Sequence, residues 1–171
     1  PIPLLLSRAG YCTALGCGLS KKTDQNFTNK LGFTANNWSQ RKPDQPFFAQ
    51  VTEATTHRTW KRDEENPIDE DDVELPPYYP DTPLVRSDWA NGIEQLQRAD
   101  KTIGKLLQKL DDDGRRDNTL VILIGDNGRC MPRGKQFLYD GGISIPLLMR
   151  WPGHIKPQTV CDDLVNTLDI C

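Results

Sequence analysis

The sequence predicts an α/β protein, layered, with a mostly parallel sheet flanked by helices. Three observations carry this. Residues 119–125, Thr-Leu-Val-Ile-Leu-Ile-Gly, form an apolar run of strand length without alternation, the pattern of a strand covered on both faces. Residues 87–113 precede it directly, with Trp89, Ile93, Leu96, Ile103, Leu106, Leu107 and Leu110 at roughly helical spacing, as on one face of an amphipathic helix. A second strand is expected at residues 46–52, Pro-Phe-Phe-Ala-Gln-Val-Thr. Helix leading straight into buried strand is the order of layered α/β folds.

The remaining elements follow from local chemistry. Residues 4–19 read as a helix end and a short strand, with Gly10 at the join. Residues 21–46 are polar and read as loop. Residues 61–83 are acidic and rich in proline; charge and missing N–H donors predict an extended surface segment rather than a helix. Its acidic run, Asp69 to Asp72, invites a metal reading but fits no ligand spacing, and the expectation is a solvated face. The long helix is expected to stop at Asp111 to Asp113 and Gly114, glycine being common just past a helix C-terminus. The stripe of that helix is read as core.

Composition narrows the function classes. A chain of 171 residues, 36% hydrophobic and 26% charged, fits one ordinary domain. A net charge of −3 gives no electrostatic case for nucleic acid. No apolar run approaches the ~20 residues a membrane helix needs, so no membrane partner is expected, and residues 1–10 do not read as a signal peptide. Five scattered cysteines imply no disulfide framework. Asn26-Phe27-Thr28 and Asn37-Trp38-Ser39 match the glycosylation pattern, a short motif that also occurs by chance.

The chemistry is expected at the carboxyl end of the 119–125 strand, where ligands gather in open α/β sheets. Asp126 and Asn127 stand there, a carboxylate and a neutral carbonyl oxygen, followed by Gly128. Both are hard donors suited to Ca²⁺ or Mg²⁺; Asp-Asn-Gly is equally a turn sequence. Lys135 follows as a fixed cation of the kind an anionic substrate needs, although a single loop lysine is commonly just solvated. Gly134-Lys135, Tyr139-Asp140-Gly141-Gly142, Pro146-Leu147 and Arg150-Trp151-Pro152-Gly153 complete an ordered run.

That run resembles the sulfatase family, of alkaline-phosphatase-like fold. The resemblance implies that Asp126 and Asn127 bind Ca²⁺ and that Lys135 contacts the sulfate. It further implies a His beyond the Pro-Phe-Phe strand that reaches the sulfate, which falls on His57. Arg58 is then a candidate for the substrate's acidic groups, its planar fork suiting them, or else a surface ion-pair partner. The expected catalytic residues are His57 and Lys135, with Arg58 joining them in substrate binding. His154 is expected to be structural. The His57-Arg58 pair, with Val73, Pro76, Pro77, Pro80, Asp81-Thr82-Pro83, Arg86 and Asp88, resembles the heparan N-sulfatase-like (sulfamidase) branch. The implied substrate is a sulfated small molecule or glycan, hydrolysed at a sulfate ester or sulfamate. The family fits a periplasmic, lysosomal or secreted setting, but the compartment is not read from this chain.

Other family elements depart from the pattern. Ala9-Gly10-Tyr11, Thr13 and Ala14 match the first half of a sulfatase motif, but Gly16-Cys17-Gly18-Leu19 stands where Gly-Lys-Trp-His-Leu is expected. The upstream acidic metal ligands and the Cys-x-Pro-Ser-Arg motif, whose Cys becomes the nucleophilic formylglycine, do not occur in this sequence; Cys17-Gly18-Leu19-Ser20-Lys21 only mimics their spacing. Residues 1–171 are therefore expected to be an incomplete, internal part of a sulfatase catalytic domain, inactive alone. The rival readings are a catalytically dead remnant that binds an anion or a partner, and a related phosphoesterase or phosphonate hydrolase.

Overall fold

The computed structural model describes residues 1–23 and 31–170; the Asn26-Phe27-Thr28 pattern and Cys171 lie outside them. The chain divides into two compact units, Pro1–Ala54 with Leu164–Cys171, and Thr55–Asp163.

In the first unit, helix α1 (Ile2–Arg8) ends at Ala9 and strand β1 (Cys12–Leu15) follows. Every residue of β1 is buried. Strand β2 (Phe47–Gln50) pairs with it in parallel, Cys12 opposite Phe47 and Leu15 opposite Gln50. Thr13, fully buried, satisfies its hydroxyl on the Gly32 carbonyl and on the Thr34 backbone and hydroxyl, as a buried polar group requires. Trp38 starts a short 3₁₀ turn, Trp38–Gln40, and stacks on Phe47 at 5.8 Å. Asn37, the first residue of the second glycosylation pattern, caps that turn by accepting from the Ser39 N–H at 3.0 Å. Cys12 and Cys17 are buried, and neither is in a disulfide. Thr167–Ile170 is a 3₁₀ turn.

In the second unit, helix α2 (Pro83–Asp112) runs for 30 residues. It begins four residues ahead of the expected start because Thr82 accepts from the Val85 N–H and Pro83 takes the first turn, where its missing donor is harmless. Asp113 closes it, and Gly114 follows at φ 63°. Strand β3 (Val121–Ile124) pairs antiparallel with β4 (Leu147–Arg150), and a single-turn helix α3 (Asp140–Ile143) lies between them in sequence.

Two features of this unit differ from the sequence reading. Leu123 and Ile124 are 39% and 37% exposed, although their run has the pattern of a strand covered on both faces. Among the described residues β3 has β4 as its one partner strand; an apolar run reports how much packing residues can accept, not how much they receive. The α2 stripe is only in part core. Leu110 is buried, but Leu96 is 46% exposed, while Glu94 and Gln95 are buried.

The polar face of α2 pins the proline-rich segment. Glu94 accepts the Asp63 N–H at 2.6 Å and the Ile68 N–H at 2.9 Å. Gln95 donates to the Lys61 carbonyl, and Arg98 to the Arg62 carbonyl at 2.7 Å. Arg86 donates to the carbonyls of Glu70 and Val73 and pairs with Asp81. Residues 61–82 thus carry no helix or strand, as expected, yet several of their backbone groups between Lys61 and Val73 are bonded by side chains of α2. Asp69, Asp71 and Asp72 are exposed, in keeping with a solvated acidic run. His154 packs on Trp151 at 4.0 Å.

Candidate functional site

Asp126 and Asn127 leave the carboxyl end of β3, Asp126 exposed and Asn127 half-buried. The Gly125 N–H donates to the Pro146 carbonyl, carrying the β3–β4 pairing one step further. From there the chain makes a tight loop. Met131 and Lys135 both donate their N–H to the Arg129 carbonyl, at 2.8 and 2.7 Å, and Gly134 donates to the Met131 carbonyl at 3.0 Å. Arg133 and Gln136 take φ values of 63° and 75° on either side of Gly134-Lys135, a region side-chain-bearing residues seldom occupy.

The glycines of the motif exist because backbone packs on backbone here. The Gly128 N–H donates to the Gly142 carbonyl at 3.1 Å, and a Cβ on Gly128 would overlap the Gly141 carbonyl. A Cβ on Gly142 would overlap the carbonyls of Phe137 and Gly134. Asp-Asn-Gly, Gly-Lys and Tyr-Asp-Gly-Gly are therefore three parts of one closed structure, which fixes where residues 126, 127 and 135 leave the backbone.

Arg58 ties the His57 segment to the same loop. Its Nε donates to the Cys130 carbonyl at 2.8 Å, its two terminal nitrogens grip both oxygens of Asp88 at 2.9 and 2.5 Å, and its guanidinium lies over Trp60 at 3.9 Å. The fork hydrogen bond to Asp88 raises the Arg58 pKa, against the opposing effect of burial. The ion-pair alternative for Arg58 is thus the one its geometry displays. His57 is exposed, with Nδ1 2.6 Å from the Arg58 carbonyl. A carbonyl only accepts, so Nδ1 donates in this contact and Nε2 is left for other partners.

No hydrogen bond or ion pair joins Asp126, Asn127, Lys135 and His57 to one another among the described residues. No group of three His, Cys, Asp or Glu side chains that could hold a metal occurs among them either. Asp126 and Asn127 fit Ca²⁺ by donor type, as two hard oxygens on a fixed backbone, and supply part of a ligand set of six to eight. A depression lined by Val73, Pro76, Tyr79 and Arg86 lies in the same unit, but its arginine is already bound to Asp81 and to carbonyls.

The sequence reading missed the surroundings of the loop. Tyr79 donates to the Pro132 carbonyl and packs on Trp89 at 5.4 Å. Arg129 lies over Trp89 at 4.3 Å; the residue as a whole is exposed, but burial of its charged end lowers its pKa. Arg133 lies by Tyr78 and Tyr139. A signal was present: Arg129, Arg133 and Lys135 put three cations in one short loop after a strand.

Comparison with known proteins gives this site its class. The sulfatase family model matches residues 8–171, and the chain belongs to the sulfatase family. It is 29% identical over 209 aligned positions to an ulvan-active sulfatase of Formosa agariphila, covering 96% of this chain and 34% of that protein. It is 28% identical to human N-sulphoglucosamine sulphohydrolase, covering 99% of this chain and 42% of the relative. Human arylsulfatase A is 35% identical over 92 positions, 45% of this chain. The chain thus spans between a third and a half of the length of the first two relatives. Membership implies an alkaline-phosphatase-like α/β fold.

Proposed function

We propose that residues 126–135, with His57, form part of a site for hydrolysing a sulfate ester or sulfamate on a sulfated carbohydrate, within a layered, mostly parallel sheet of alkaline-phosphatase type. The observation that carries this is the glycine-locked loop, which presents Asp126, Asn127 and Lys135 from one rigid backbone next to β3. The chain's similarity to an ulvan-active sulfatase and an N-sulphoglucosamine sulphohydrolase supports a sulfated sugar as the substrate class.

Asp126 and Asn127 would hold Ca²⁺, which when bound supplies charge to the non-bridging sulfate oxygens. Lys135 adds a point charge and up to three N–H donors to the same oxygens. His57 in its protonated form would give a proton to the leaving oxygen or nitrogen as the bond to sulfur breaks. Arg58, held by Asp88 and Cys130, acts chiefly by fixing the loop, with acidic substrate groups able to meet its remaining surface. Formylglycine, the nucleophile the family uses, arises from a Cys-x-Pro-Ser-Arg motif that this sequence does not contain.

The chain alone is therefore expected to bind sulfate without turning substrate over. Purified chain with a chromogenic aryl sulfate and Ca²⁺ should give no product, and titrated sulfate should bind more weakly to Lys135→Ala. Turnover that disappears in His57→Ala would show that the chain carries its own nucleophile. A second reading is favoured by one observation: buried Cys17 stands where the family places its Lys-Trp-His stretch. That reading is a binding module for anions that has lost catalysis, and it predicts the same sulfate affinity with no activity even when the upstream motif is supplied.

A further inference from the structure

Arg58, Arg62, Arg86, Arg98, Arg116 and Arg150 each lie within ion-pair distance of a carboxylate. Arg133 has no carboxylate partner among the described residues, nor has Lys135 two positions on. With Arg129 they set three cations on one short loop, in a chain with three more acidic than basic residues.

The setting of Arg133 is specific. Its guanidinium lies 4.5 Å from the Tyr139 ring centroid and 5.2 Å from that of Tyr78. Aromatic faces hold the cation through their π-electrons without using its in-plane N–H donors, and those donors form the fork that fits a carboxylate or sulfate with two hydrogen bonds. The backbone beneath is fixed. Arg133 sits at φ 63°, and Gly141 lies alongside at ordinary contact distance, a Cβ there being 3.4 Å from the Arg133 carbonyl and 3.5 Å from the Tyr78 hydroxyl. Tyr78 and Tyr139 are about half exposed, 47% and 51%, so the cradle opens to solvent.

We infer that Arg133, held between Tyr78 and Tyr139, is a second anion subsite that binds another sulfate or carboxylate of the same acidic sugar chain whose scissile sulfate meets Lys135. The inference rests on the hydrolase reading above for the identity of that sugar. It assigns Arg133 to specificity for multiply charged substrates, not to bond breaking.

The test measures binding of two probes to the full chain by calorimetry: a heparin-derived tetrasaccharide and inorganic sulfate. Arg133→Gln should weaken the tetrasaccharide about tenfold or more, the effect of losing one charge-assisted pair, and leave inorganic sulfate unchanged. Tyr139→Leu should weaken the tetrasaccharide by a smaller factor in the same direction. Near-ultraviolet circular dichroism checks that each variant keeps the parent fold. An unchanged tetrasaccharide affinity in folded Arg133→Gln would overturn the inference, as would an equal loss for both probes, since Arg133 would then belong to the sulfate site. A carboxyl-reduced tetrasaccharide identifies the second group: retained affinity marks a sulfate and tenfold loss a carboxylate, and either upholds a second anion. The hydrolase reading fails separately, if Lys135→Ala leaves inorganic sulfate binding intact.

Discussion

Replacing Glu94 by alanine should detach the proline-rich segment from α2. Glu94 is a carboxylate with no exposed surface, and it accepts two backbone N–H groups, from Asp63 at 2.6 Å and Ile68 at 2.9 Å. Hydrogen bonds to charged groups are each worth about 1.5–3 kcal/mol, so losing both removes roughly 3–6 kcal/mol. Arg62 adds little, being 4.0 Å away and partly exposed. Domains of this size are commonly stable by only about 5–15 kcal/mol, so the expected loss is a large share of the total. Glutamine separates charge from shape: its one carbonyl oxygen keeps one N–H, while its NH₂ faces the other N–H, donor against donor. About half the loss or more is expected for Glu94→Gln. Urea unfolding followed by tryptophan fluorescence reads the total, since Trp60 packs against Gly92 of α2, and amide exchange at Asp63 and Ile68 reads the local release. An alanine variant within about 0.5 kcal/mol of the parent, the ordinary range for surface changes, would refute the anchoring role.

Gly128→Ala places a methyl group against the Gly141 carbonyl and should lower stability by about 1–3 kcal/mol, as overpacking does; calorimetry should find sulfate binding weakened with it. The Arg86 hydrogen bond holds the Asp81 carboxyl below its usual pKa. A depressed folded-state pKa gives stability that is present above the unfolded value, about 3.9, and is lost as pH falls through the lower folded value. Asp81→Asn should therefore show a smaller drop in unfolding midpoint below about pH 4 than the parent, measured across an acid series. Ca²⁺ should bind the chain with a dissociation constant on the order of millimolar, the weak end for protein sites; micromolar binding abolished by Asp126→Ala would show that further ligands come from residues outside the loop.

Much of the fold was legible because its signals were local. The α1–Gly10–β1 join, the Phe47–Gln50 strand and the end of α2 at Asp113 all lie where the residue pattern put them. The start of α2 was also written locally, in Thr82-Pro83, but the surrounding charge and proline favoured an extended segment over a helix cap. Partnership was not legible. Val121–Ile124 has the same apolar composition whether its neighbour is parallel or antiparallel, and it pairs with β4 antiparallel. Nor does helical spacing disclose that Glu94 is buried, because a charged residue on an amphipathic helix usually faces water. The order of the site motif was readable, but the contacts of Arg58 with Asp88 and Arg133 with Tyr78 join residues 30 and 55 positions apart and had no signature in spacing.

The charge layout of the loop carries one consequence for the order of binding. Asp126 offers a cation a single negative charge, and Lys135 sets positive charge on the same loop. Ca²⁺ entering first meets that opposing field, and sulfate entering first removes it. Each ligand should then raise the affinity for the other, and linkage requires the two factors to be equal. A coupling of about 1–3 kcal/mol, the usual range between sites, corresponds to roughly 5–150-fold. Titrating Ca²⁺ with and without saturating sulfate, and sulfate with and without Ca²⁺, measures both factors independently. Lys135→Ala should raise the Ca²⁺ affinity of the sulfate-free chain and reduce the coupling together, because one charge is responsible for both. Coupling that persists in full after Lys135→Ala would move the anion elsewhere, and Ca²⁺ binding indifferent to sulfate in the parent would mean that the two ligands do not share this loop.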